Sequence, residues 1–334
     1  MDGILYFPQQ LARVFLSLGS GFSLTSLAAA LLIAAAVIAW RRLRRNRPLR
    51  AGTLVRGLFP AWLVRHASVQ ADIGYFAFNV FVYGIIFGWA VLSYKFISGL
   101  AADALTATFG AVAPTSYEFT ARVIITLALF LAYEFGYWVD HYLKHRVPAL
   151  WELHKVHHSA NVLTPLTVFR LHPFDGLIFS NILAVSLGIT NGVANYLFGK
   201  PITFFSIGDT NLILVLFVHI YVHLQHTHLW IAFTGLAGRI FLSPAHHQIH
   251  HSNNPVHFDK NLGSCLAIWD WLFGTLYVPA KQPEPLSFGV KAGEADMHSF
   301  GELAIAPVQR AAAHVAQSLR GEEAPLAETP RTSS

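Results

Sequence analysis

The chain has 334 residues, 54% of them hydrophobic and only 12% charged, with a mean hydropathy of +0.46. That composition puts most of the chain in lipid and excludes a pair of ordinary soluble domains. The net charge of +5 does not mark a nucleic-acid binder, because the basic residues gather beside an apolar segment, and the lone Cys265 excludes an internal disulfide, a CxxC zinc site and CxxCH haem attachment.

Residues 1–21 have no basic n-region, their first positive charge being Arg13, so the apolar run 22–40 reads as a retained transmembrane helix. Six arginines follow within residues 41–50, the cytoplasmic flank expected from the positive-inside rule, which places the N-terminus outside. Residues 51–70 mix Arg56, Arg65 and His66 with Leu, Phe and Trp and read as an interfacial piece, His66 being an ordinary interfacial histidine. A second span is expected over 73–92, then a non-cytoplasmic loop over 94–118 in which Lys95 is the only basic residue and GAVAPTS supplies the bend.

A third span, 120–138, delivers the chain into Asp140, His141 and His145 on the side of the arginine run. Glu134 lies near its end at membrane depth and needs a partner there, either a ligand histidine or an interhelical polar contact. Residues 148–173 are amphipathic, and 174–198 and 202–224 read as a hydrophobic hairpin out and back. The chain then re-enters the cytoplasm near His226. Residues 230–278 form a polar cap closed by the aromatic AIWDWLFGTLYVP. A short helix over 300–319 is expected before a disordered tail rich in Glu, Pro, Thr and Ser. The fold class is all-α: a polytopic integral membrane bundle with a cytosolic histidine-rich cap. Its units are residues 1–50, a basic-flanked N-terminal helix; 51–280, the membrane-embedded domain with the histidine boxes; and 281–334, a cytoplasmic tail.

The histidines carry the chemistry. His141 and His145 are spaced i, i+4; His154, His157 and His158 are spaced i, i+3, i+4, and so are His247, His250 and His251. On a helix that spacing aims imidazoles at one region, as a metal ion about 2.0–2.1 Å from each nitrogen requires. Eight such ligands suffice for two ions. His226 and His228, near the expected water boundary, complete the coordination, whereas the deeper His219 and His223 are read as polar contacts in the bundle. HExxH is absent and no carboxylate sits inside a box, which disfavours a zinc protease. Imidazoles suit iron, zinc, copper or nickel, and a pair of redox-active irons at the end of a lipid-accessible bundle favours oxidation of a C–H bond.

HYLKH, HKVHH and SPAHHQIHHS, followed by DKNLG and WDWLFGTLY, resemble the fatty acid hydroxylase superfamily of integral membrane enzymes. The likeness covers residues 71–279. It implies a cytosolic dimetal centre of two iron ions (zinc being the alternative in a purified protein), O2 as co-substrate and a lipid substrate. As metal ligands it marks His141, His145, His154, His157, His158, His226, His247, His250 and His251, with His228 where relatives vary. Around them it sets His172, in an RxHP context with Arg170 and Pro173, together with Asp259 and Asn261 of the DxNxG element; His246 is left to packing or to support of a ligand. The HPGG haem signature of a fused cytochrome b5 is missing, so electrons are expected from a separate donor such as a ferredoxin or a cytochrome b5-type protein. The function implied is a membrane-bound non-haem di-iron lipid hydroxylase. Desaturation at the same centre is the alternative, and a membrane haem-binding electron carrier the reading from another class.

Overall fold

The computed structural model describes residues 2–290 and 300–321, and over them the chain is a helical bundle. An N-terminal helix α1 (Asp2–Phe15) precedes α2 (Leu24–Arg44), whose first turn is closed by the Ser23 side chain accepting from the Ser26 N–H. Two short pieces, α3 (Ala51–Leu58) and α4 (Ala61–Val64), lead into α5 (Ala67–Phe81) and α6 (Tyr83–Phe87). Then come α7 (Tyr94–Phe109), α8 (Glu118–Arg146), α9 (Pro148–His158) and α10 (Pro173–Leu197). After a two-stranded hairpin, Ser206–Ile207 with Thr210–Asn211, α11 (Leu212–Phe217) runs through a π-helical turn, Val218–Val222, into α12 (His223–Gln225). The C-terminal part holds α13 (Gly235–Ile240), α14 (Pro244–His250), α15 (Ile268–Phe273) and α16 (Phe300–Leu319).

Among the described residues four helical stretches are long and apolar enough to cross a membrane: Leu24–Arg44, Tyr83–Phe109, Glu118–Arg146 and Pro173–Leu197. Two expectations from the sequence change here. The second stretch is not 73–92, and 94–118 is not a loop: α7 begins at Tyr94, capped by Ser93, and only 110–117 bends. Its Ala-rich, nearly uncharged composition outweighs the single Lys95. The expected span 202–224 also shortens, because 202–211 is largely extended and the helix Leu212–Gln225 rises only about 21 Å, less than the roughly 30 Å of a hydrocarbon core. The chain nevertheless returns to its starting side, since the extended segment covers part of the distance. The helix expected over 300–319 is present as α16; the tail beyond Gly321 lies outside the described residues.

The bundle centres on α10. α8 runs antiparallel to it, with the Ser186 hydroxyl donating to the Ala132 carbonyl at 2.8 Å and Ile125, Leu129 and Ala194 in one buried cluster. α7 runs parallel to it and touches it most closely at Gly188 and Gly192, a small-xxx-small pair. A Cβ at Gly192 would fall 2.5 Å from the Ser98 carbonyl oxygen and 2.6 Å from the Ala101 Cβ. We therefore expect Gly192→Leu to push α7 off α10 and to cost about 1–3 kcal/mol, read as a lowered unfolding midpoint in detergent. An unchanged midpoint would mean that the two helices do not meet there.

Antiparallel packing of α8 on α10 has one consequence for chemistry. The C-terminal end of α8, with His141 and His145, lies beside the N-terminal end of α10. The arginine run is at the same end, because Arg41 donates to the carbonyl of Trp230, four residues past His226.

Candidate metal centre

Nine histidines converge on this end in two groups. His141, His145, His154, His158 and His250 form one, and His157, His226, His247 and His251 the other; within each, one ring nitrogen per residue lies within 4.8 Å of the rest. All but His145 are buried. The groups abut, the rings of His158 and His251 being 4.6 Å apart. The i, i+3, i+4 spacing sends neighbours to different groups: on α9, His154 and His158 enter the first and His157 the second. On α14 and its C-cap, His250 enters the first, and His247 and His251 the second.

In the first group four of the five Nδ1 atoms are already engaged. His141 Nδ1 lies 2.7 Å from the Leu262 carbonyl and His250 Nδ1 2.9 Å from the Lys260 carbonyl. His154 Nδ1 is 3.3 Å from Asp175 Oδ2 and His145 Nδ1 3.3 Å from Asp259 Oδ1. An acceptor at Nδ1 fixes the proton there and leaves the Nε2 lone pair free. The Nε2 atoms of His141, His145, His154, His158 and His250 are all buried with no hydrogen-bond partner among the described residues. Five orphaned lone pairs facing one region are costly unless a cation takes them.

The second group passes a different geometric test. His226 Nε2 lies 2.9, 3.1 and 3.3 Å from the Nε2 atoms of His247, His251 and His157. Two nitrogens about 2.0–2.1 Å from one ion are about 2.9 Å apart at a right angle and about 3.4 Å apart at the tetrahedral angle. The donor set fits a single metal ion.

Burial favours the neutral, ligating form at seven of these imidazoles. It holds His154 down to about 4, against the upward pull of Asp175, and His157 down to about 3. His158, His226, His247, His250 and His251 are held well below the ordinary histidine value, by burial first and by neighbouring histidines second. For Asp259, burial acts upward on the carboxyl, but the His145 hydrogen bond and the charges of Arg146 and Lys260 bring it below its usual value.

The residues around the groups explain DKNLG and WDW. Asp259 and Asn261 both adopt φ +58°, a left-handed conformation that Asp and Asn tolerate better than most residues. The turn they make presents the carbonyls of Lys260 and Leu262 to His250 and His141. Asp270 pins it from below, accepting the N–H groups of Leu262 and Gly263 at 2.8 and 2.9 Å. Asn261 bonds elsewhere than to the rings: its amide donates to the His246 carbonyl and its oxygen accepts the Tyr277 N–H. Glu134 has no hydrogen bond to a histidine among the described residues either. It accepts the N–H groups of Cys265 and Leu266 at 2.9 and 2.7 Å, tying α8 to the same loop.

His228 is not brought into either group: its Nε2 lies 2.8 Å from the Gly57 carbonyl and its ring meets Trp62 edge-on. His172 caps α10, accepting the Phe174 N–H, and its Nε2 lies 3.0 Å from the Ala304 carbonyl. His246 bonds to Ser243 and to the Gly238 carbonyl. His219 and His223 pair with Thr25 and Ser26 of α2 at 3.1 and 2.9 Å, as polar contacts in the bundle. The π turn and the non-helical φ −98°, ψ 72° at His226 break the single face that the spacing of these three implies. Only His226 then turns toward the other rings. Asp175 was not singled out by sequence reasoning; besides facing His154 it pairs with Lys144, which also holds Asp140 at 2.6 Å. The signal was an acid in the first turn of α10, HPFD, placed where only a buried partner makes it tolerable.

Residues 126–275 match the family model for fatty acid hydroxylase. The chain is 32% identical over 167 residues to the ornithine lipid hydroxylase OlsE of Rhizobium tropici, covering 50% of this chain and 45% of that protein. It is 32% identical over 149 residues to alkylglycerol monooxygenase of Homo sapiens, 44% of this chain and 29% of that one. Over 179 residues it is 30% identical to the Delta(7)-sterol 5(6)-desaturase erg3C of Aspergillus fumigatus, 51% of this chain and 53% of that one. The chain thus spans about half or less of the length of these relatives. No solved structure matches it.

Proposed function

From the match of residues 126–275 to the fatty acid hydroxylase family model we propose that the chain is a membrane-bound di-iron enzyme hydroxylating a C–H bond of a lipid. The observation that carries this reading is the pair of histidine groups, one with five orphaned Nε2 atoms and one with four Nε2 atoms at the spacing of ligands on one ion. An all-imidazole, thiolate-free set at the end of an apolar bundle suits iron, with zinc as the substitute ion in purified protein. Two irons, when bound, supply the activation of O2. The protein's own part is to hold the buried rings of α9, α14 and His226 neutral, to fix the tautomers of His141, His250, His154 and His145 through Leu262, Lys260, Asp175 and Asp259, and to keep water away from the buried centre. The overall change, R–H + O2 + 2e⁻ + 2H⁺ giving R–OH + H2O, takes its electrons from a separate donor such as a ferredoxin or a cytochrome b5-type protein. Eight arginines and no carboxylate between Arg41 and Ala71, at the histidine end, favour a cytoplasmic face for the site. A haem carrier fits less well, since rings packed as closely as His226 and His247, at 4.3 Å, leave no flat slot for a porphyrin.

The test is expression in a lipid-producing host with and without O2, with metal content and lipid masses measured together. Hydroxylation gives oxygen-dependent lipids about 16 Da heavier, whereas desaturation gives lipids about 2 Da lighter. Iron-loaded protein that yields neither overturns the oxygenase reading.

A further inference from the structure

The half of the bundle away from the histidines holds a second candidate site. Between α7 and α10 lies a crevice of about 420 Å³, open on one side and lined by Lys95, Ser98, Gly99, Asn191, Asn195 and Tyr196, with Lys200 at its rim. Its position follows from the parallel packing of the two helices: Ser98 meets Asn191, well along α10 from Asp175 and the metal centre, and Lys200 lies just past the end of α10.

Lys95 is the anomaly. It falls near the middle of the Tyr83–Phe109 stretch, which is apolar enough to cross a membrane, and it is exposed there. It has no carboxylate partner among the described residues, and Asp103, the other charged residue of α7, is not on the crevice wall. An ammonium at that depth is retained only where something compensates it. The crevice supplies further donors. Asn191 and Asn195 each use one amide atom in the fold, Asn191 Nδ2 donating to Ser98 at 2.8 Å and Asn195 Oδ1 accepting the Ile202 N–H at 3.1 Å. Lys200 lies 3.6 Å from Glu118, a carboxylate two-thirds exposed. The lining therefore offers cationic and neutral donors along an otherwise apolar wall, complementary to an anionic head group with hydrocarbon attached.

We propose that this crevice binds an anionic phospholipid of the leaflet opposite the metal centre, with its head group drawn to the lysines of the crevice and its hydrocarbon against the apolar wall at Gly99 and Ala102. The site is independent of the proposed chemistry, so its failure leaves that reading untouched.

Delipidated full-length protein titrated with phosphatidylglycerol or phosphatidylcholine and observed by native mass spectrometry tests it. One phosphatidylglycerol should be retained preferentially, and the preference should fall about fivefold in Lys95→Gln, the worth of one lysine near an anionic surface. Gly99→Phe should abolish retention without disturbing the fold, because nothing lies within 4 Å of where its Cβ would project. Lys95→Arg should retain the lipid, and millimolar inorganic phosphate should not displace it. Equal retention of phosphatidylcholine, displacement by phosphate, or a preference that survives both Lys95→Gln and Gly99→Phe would overturn the site, the last by moving the anionic binding elsewhere on the chain. Should Lys95→Gln not fold, Gly99→Phe against Lys95→Arg decides: retention in the first or loss in the second overturns it.

Discussion

His250→Ala and His251→Ala, substitutions of adjacent residues, should each weaken one metal site, and not the same one. His250 belongs with His141, His145, His154 and His158, whereas His251 belongs with His157, His226 and His247. After dialysis against a chelator that the native protein withstands, each variant should keep about one ion where the native chain keeps about two. Lipid oxidation should fall in both by more than the 10–100-fold that loss of an outer hydrogen-bond partner costs, because the ligand itself is gone. The separation shows best in pairs. Adding His158→Ala to His250→Ala should remove little further metal, while adding it to His251→Ala should empty both sites. If either single variant loses both ions, or the two pairs behave alike, the nine histidines act as one site and the division is wrong.

That division was only partly legible in the sequence. Helical spacing identified the ligand candidates because the metal demands convergent lone pairs, and i, i+3, i+4 is how a helix makes them converge. It could not say that His157 and His158, neighbours in sequence, serve different groups, since that depends on how α9 and α14 face each other. Nor could spacing separate His226 from His219 and His223, which share its apparent face until a π turn and a non-helical residue redirect it. His228 looks the same as His226 in composition, but the chain has already left the helix and it faces Gly57 instead. The apolar run in α11 and α12 was read as a full span because hydropathy does not report that 202–211 is extended. Asp270 and Glu134 illustrate another limit. Each receives two backbone N–H groups from the loop over Leu262–Leu266, a role fixed by tertiary placement and invisible to any motif that counts side chains.

The largest expected effect on stability lies outside the histidines, at Arg170. Its guanidinium is fully buried and meets Asp72, also fully buried, with Nε 2.7 Å from Oδ1. It also donates to the Ser68 carbonyl at 2.6 Å and to the Ser159 hydroxyl at 3.1 Å. Ser159 follows His158 directly, and its hydroxyl donates to the Val156 carbonyl at 2.7 Å, so Arg170 fastens the ligand-bearing end of α9 to α5. Arg170→Ala leaves the Asp72 carboxylate buried with only Thr164 and Thr167 beside it, at 3.4 and 2.8 Å. Breaking a buried pair in this way costs about 3–5 kcal/mol, whereas replacing both partners by apolar residues costs far less. Arg170→Ala should therefore lower the unfolding midpoint in detergent more than Arg170→Met combined with Asp72→Leu does. The double variant also tests the strut itself. If it folds but holds metal less tightly at the group containing His157, Arg170 positions α9 as well as stabilising it; if its metal affinity is native, the network contributes stability alone. An Arg170→Ala protein within about 1 kcal/mol of native would mean that the pair is not buried as described.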